Sequence, residues 1–219
     1  MQAKPLILLI TLCCAHLQAA EWADMPYAEG KDVPVIVYKS SVKARGVLVV
    51  AGWAPGKKDQ VVNLYDKYWS KAPALGWHVI GVAVGEQPDA MQAGPEMIEG
   101  ALKHLHSKAN LDASLPVVIT GVSMGGHVAL ASLARYPDRY VGAIAIPGMV
   151  QRASKLEGKR VVMRVGSRDS AGWRSGVKDS ADLLTRAGAE VNFEELAGEG
   201  HVPNCNALEL LKWVVAPKP

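Results

Sequence analysis

Six short apolar runs recur along the chain, at residues 46–51, 77–84, 116–120, 140–146, 160–165 and 191–196. Longer stretches with apolar residues at helical spacing separate them, at 59–72, 95–108, 126–135 and 175–187, and another at 207–215 closes the chain. In the first of these Val62, Tyr65 and Trp69 share one side, and in the second Met97, Ala101, Leu102 and Leu105 do. A run that is apolar at nearly every position, such as Gly46-Val47-Leu48-Val49-Val50-Ala51, is a strand with both faces buried. Parallel sheets covered by helices bury strands in that way. The alternation of strand and helix therefore predicts an α/β architecture with helices on both faces of a mostly parallel sheet. A further strand is expected at 33–38, where Pro34 favours an edge position because it cannot donate to a ladder. No repeat, low-complexity tract or linker divides the chain, so residues 21–219 read as a single domain.

The N-terminus is distinct. Lys4 precedes an apolar stretch over residues 5–15, followed by Gln18-Ala19-Ala20. A charged start, a short apolar core and small residues at its end form the pattern of a cleaved secretory leader over residues 1–20, which predicts a secreted or periplasmic protein. The stretch is too short for a stable membrane span. Cleavage would remove Cys13 and Cys14 and leave Cys205 as the one cysteine, which excludes an internal disulfide. Cys205 lies four residues after His201, but zinc needs three or four ligands and no other Cys/His cluster accompanies the pair. Cys205 is expected to be a packed thiol near the start of a helix, and no metal is expected. The net charge of +3 is scattered without a Lys/Arg block, which argues against a nucleic-acid partner.

Function is concentrated in Gly121-Val122-Ser123-Met124-Gly125, between the run at 116–120 and the helix at 126–135. A serine on a sharp strand-to-helix turn is pushed outward, and glycines two places before and after it leave room for the turn. In parallel α/β sheets functional groups gather in the loops after the strands. Asp169 follows the strand at 160–165, and His201 follows the last strand at 191–196. The order Ser, Asp, His matches an elbow of this kind.

With these residues in place, the chain resembles an α/β-hydrolase of the serine-esterase type over roughly residues 33 to 215. It is similar to the small carboxylesterase, polyester-depolymerase and dienelactone-hydrolase-like branches, the last with cysteine in place of Ser123. The resemblance implies a single-domain α/β-hydrolase fold and an acyl-enzyme mechanism that uses no cofactor. In it Ser123 is the nucleophile, His201 the base that later returns the proton, and Asp169 the group that orients the imidazole. The backbone N–H of Met124 is one oxyanion donor, and the resemblance places the second in the turn after the early strand, at Trp53. Many relatives carry His-Gly where this chain has Ala51-Gly52.

Other residues compete for these roles. Asp138 is the rival acid, but Tyr136-Pro137-Asp138-Arg139 reads as a turn after a helix. His127 is expected to pack in the helix after the elbow, His78 lies in a strand, and His104 and His106 belong to a helix or its end. Trp53, Met149 and Trp173 are candidates for the pocket wall. Only a short segment separates residues 146 and 160, where lidded relatives insert helices, so no cap domain is expected. The substrate expected is a small-molecule or polymeric acyl ester. A thioesterase or peptidase on the same three residues, and a non-catalytic binding protein with this fold, are the alternatives.

Overall fold

The strand pattern is realised as an eight-stranded sheet in the order β1-β2-β4-β3-β5-β6-β7-β8. The structure is a computed structural model and describes residues 20–217 other than 88, 109 and 110. The leader expected over residues 1–20 therefore lies outside the described residues, except for Ala20. The strands are β1 (Trp22–Ala28), β2 (Lys31–Tyr38), β3 (Gly46–Ala51), β4 (Trp77–Val82), β5 (Val117–Gly121), β6 (Gly142–Ala145), β7 (Arg160–Gly166) and β8 (Glu190–Leu196). β1 and β2 are antiparallel, as are β2 and β4; all later neighbours are parallel.

Alternation within the strands builds two layers. Val47, Val49 and Ala51 of β3 face one core with Ile119 and Val161. Leu48 and Val50 face the other with Val118 and Val162. The first core is closed by α2 (Ala90–Lys108), α3 (Met124–Arg135) and α4 (Ala171–Arg186), through Met97, Leu133 and Leu184. The second is closed by α1 (Lys58–Leu64), the π-helical turn Tyr65–Trp69 that continues it, and α5 (Ala207–Val215), through Leu64, Trp69 and Leu211. Burying one such aliphatic side chain contributes about 1.5–3 kcal/mol, which is why the period-2 pattern sets which face each residue takes.

Three expectations change. Pro34 is not on an edge, because β1 pairs outside β2 and places Asp24 opposite Pro34. On the β4 side Pro34 accepts from the Ala83 N–H at 2.9 Å, just past the last paired residues Val35 and Val82, where no donor is needed. α2 begins at Ala90 instead of 95, so Pro95 lies inside the helix. α4 begins at Ala171 instead of 175, with the Ser170 hydroxyl accepting from the Trp173 N–H. Among the described residues, the connection 146–159 between β6 and β7 contains no helix, in keeping with the expected lack of a cap.

Candidate active site

β5 ends at Gly121 and α3 starts at Met124, so the chain reverses within Val122 and Ser123. Ser123 takes φ 53° and ψ −116°, a left-handed region that costs a side-chain-bearing residue about 1–3 kcal/mol. Three backbone bonds hold it there. Ser123 N–H donates to Pro147 (2.9 Å), Gly125 N–H to Val122 (2.9 Å), and His127 N–H to Ser123 (3.0 Å). The flanking glycines are close approaches. A Cβ at Gly121 would collide with the Gly125 carbonyl, and one at Gly125 with the Ala51 carbonyl.

The loops after β7 and β8 are tied together. Ser167 N–H donates to Leu196 and Arg168 N–H to Glu199, both at 2.9 Å, and Gly198 N–H donates to the Ser167 hydroxyl at 2.8 Å. The β8 loop is also anchored on the opposite layer. The Tyr68 hydroxyl donates to Pro203 at 2.6 Å and the Lys67 ammonium to Val202 at 3.0 Å. The Tyr68 phenol is pushed above its ordinary range, chiefly by burial, so it stays a donor.

This stitching sets a hydrogen-bonded series. Asp169 Oδ2 lies 2.6 Å from His201 Nδ1, and His201 Nε2 lies 2.9 Å from Ser123 Oγ. The Asp169 side chain is 6% exposed and its other oxygen accepts from the Ser170 N–H at 2.7 Å. A carboxylate only accepts, so Nδ1 carries the imidazole proton and Nε2 is left to accept from the serine hydroxyl. Trp173, from the first turn of α4, packs edge-on against the His201 ring at 4.5 Å between centroids.

The structure thus brings Ser123, Asp169 and His201 together, although they lie on three loops. Met124 N–H opens α3 and Trp53 N–H lies in the turn after β3; neither has a hydrogen-bond partner among the described residues. The carbonyls of Ala51 and Gly52 pack directly on Gly125, so the Trp53 turn abuts the elbow. The rivals are elsewhere. Asp138 follows the far end of α3, His104 and His106 belong to α2, and His78 in β4 accepts from the Ser40 N–H at 3.1 Å. His127 packs in α3 with its Nδ1 on the Met149 backbone and its ring 5.2 Å from Trp173. The Trp173–His201 contact was not foreseen; its only sequence signal is an aromatic four residues after Asp169. Cys205 packs in the second core two residues before α5, and burial pushes its thiol up to about 11. Among the described residues no group of three or more His, Cys, Asp or Glu is placed to hold a metal. No described helix is long and apolar enough to cross a membrane.

Solved structures share this architecture. A dienelactone hydrolase from Anabaena variabilis matches with a TM-score of 0.70 at 15% identity, over 90% of this chain and 95% of its own. The chain has an α/β-hydrolase fold. A carboxylesterase from Mesorhizobium loti shares the α/β-hydrolase fold with a TM-score of 0.67 at 16% identity, over 84% of this chain and 95% of its own. Esterase 2 of Thermogutta terrifontis, in a form phosphorylated by paraoxon, matches with a TM-score of 0.65 at 15% identity, over 92% and 97%. A family model described as putative esterase matches residues 95–192 of this chain, which span the elbow and Asp169. No curated protein matches it in sequence at a significant level.

Proposed function

We propose that this chain is an exported serine hydrolase that cleaves carboxylic esters through an acyl-enzyme. The observation that carries the reading is the series Asp169–His201–Ser123, at 2.6 and 2.9 Å, ending on a serine in the strained elbow conformation. The family match and the esterases among the structural neighbours support ester hydrolysis.

His201 Nε2 takes the Ser123 proton as Oγ attacks the ester carbonyl, and Asp169 stabilises the imidazolium that forms. The carbonyl oxygen becomes an oxyanion, for which the free N–H groups of Met124 and Trp53 are the donors. His201 then gives its proton to the leaving alcohol as the carbon–oxygen bond breaks. Water attacks the acyl-serine, again deprotonated by His201, and releases the acid.

Purified protein is expected to hydrolyse p-nitrophenyl acetate and butyrate, with turnover lost in Ser123→Ala. A folded wild-type protein that hydrolyses no short-chain ester would overturn the reading. Export rests on the residue 1–20 pattern alone. N-terminal sequencing of protein from the periplasm or medium is expected to begin at Glu21, and full-length protein kept inside the cell would refute it.

A further inference from the structure

Because no helix fills the β6–β7 crossover, a groove of about 1190 Å³ remains between α3 and α4. Its floor is the crossover itself, at Met149 to Arg152, and Val150 is pinned there by its N–H to the Ser180 hydroxyl at 3.0 Å. Small residues open its walls: Ala131 and Ala134 on α3, Gly176 on α4. The groove starts at His127, one helical turn from Ser123, with Trp173 standing between that histidine and His201. At Met91 and Gln92 it meets a smaller hollow of about 510 Å³ that reaches Met124 and Pro55, beside the serine. The two hollows share Met91 and Gln92, and together they form a trough that flanks α3 from Met124, next to the serine, to Arg135.

Its far end is cationic. Arg135, Arg152 and Arg186 all line it. Arg135 is paired with Glu96, but Arg152 and Arg186 make no ion pair among the described residues. Among the described residues, Asp179 is the one acidic residue lining the larger hollow, and Asp89 lines the smaller one. The trough also has a side. A leaving group must lie against His201 Nε2 to receive its proton, and no residue of the loop 197–206 lines either hollow. What enters the trough is then the acyl part of the substrate.

We propose that the trough binds a long acyl chain that ends in a carboxylate, held by Arg152 and Arg186. The substrates are thus monoesters of long dicarboxylic acids. The proposal rests on the hydrolase reading of Ser123. The α3 wall sets the length of the groove: the twelve residues Met124–Arg135 rise about 18 Å, Arg186 closes the facing α4, and arginine side chains on a helix reach back towards its N-terminus. An acyl chain of about eight to ten carbons spans what remains. Arginine suits this end because its guanidinium meets a carboxylate through two parallel bonds.

The test compares p-nitrophenyl monoesters of succinic, adipic, suberic and sebacic acids with neutral acyl esters of the same chain length. The ratio of kcat/KM, anionic over neutral, is expected near or below one for succinyl and at least tenfold for suberyl or sebacyl. In the double variant Arg152→Gln, Arg186→Gln that gain is expected to fall at least tenfold. Lys178→Gln, an exposed position on α4 outside the groove, is expected to keep it. A ratio near one at every length, or a gain untouched by the double variant, overturns the proposal while ester turnover keeps the hydrolase reading intact. If no ester is turned over, the hydrolase reading fails, and suberate alone then probes the trough by thermal shift. A shift that the double variant abolishes sustains the anion site, and no shift overturns it.

Discussion

Replacing Asp169 by asparagine tests the geometry more sharply than removing the side chain. Asp169 Oδ1 accepts from the Ser170 N–H at 2.7 Å, and only an oxygen fills that position. The asparagine oxygen is therefore held at Ser170, and its NH2 faces His201 Nδ1, where Oδ2 now lies at 2.6 Å. Two donors cannot face each other, so the imidazole must move its proton to Nε2, the nitrogen that accepts from Ser123. The base is then blocked. The variant also loses the charge that faces the imidazolium. Two charges about 4 Å apart in an effective dielectric of about 20 interact by about 4 kcal/mol, or about 10³-fold in rate. The His201 side chain is 37% exposed, which screens the pair and makes that an upper value. With the tautomer reversed, kcat for p-nitrophenyl acetate is expected to fall by about 10⁴-fold in Asp169→Asn, with thermal melting showing the protein folded. A folded Asp169→Asn keeping more than a tenth of the wild-type kcat would refute the reasoning and assign the orienting role to another group.

Two further outcomes follow from packing. Gly125→Ala drives a methyl into the backbone carbonyls of Ala51 and Gly52, which have no rotamer through which to yield. Overpacking of this kind costs about 1–3 kcal/mol, so Tm by differential scanning fluorimetry should fall by about 3–10 °C, and an unchanged Tm contradicts the close approach. The Cys205 thiol, raised to about 11 by burial, holds about 10⁻³ of its population as thiolate at pH 8. Its alkylation by iodoacetamide should be at least a hundredfold slower in the native protein than in urea, accelerating as pH rises towards 11; equal rates at pH 8 would show the thiol unburied.

The parts that were legible in the sequence are those whose signal is local. The apolar runs of β3, β4 and β5 carry their own burial, and Gly121-Val122-Ser123-Met124-Gly125 carries its own turn. Asp169 and His201 each follow a strand, whereas Asp138 reads as a post-helix turn and His127 as a helix position, and in the structure Asp169 and His201 are the pair hydrogen-bonded beside Ser123. β1 was missed because Trp22-Ala23-Asp24-Met25-Pro26-Tyr27-Ala28 is mostly exposed and has little apolar periodicity; its identity comes from pairing with β2, from Trp22 opposite Ile36 onwards. The same pairing removed Pro34 from the edge. The true start of α4 depends on Ser170 capping Trp173, directly after the turn that carries Asp169. The groove was illegible for a related reason. It is made by what the β6–β7 connection lacks and by side chains of α3 and α4 that lie some forty to fifty residues apart in the chain.

The most direct measurement of the central claim is covalent. Wild-type protein treated with a fluorophosphonate and examined by intact-mass and peptide mass spectrometry is expected to carry one adduct, on Ser123. That adduct should be absent in Ser123→Ala and strongly slowed in His201→Ala, because Oγ is nucleophilic only while Nε2, 2.9 Å away, takes its proton. A folded wild-type protein that forms no adduct, or forms it on another serine, contradicts the assignment of Ser123 as the nucleophile.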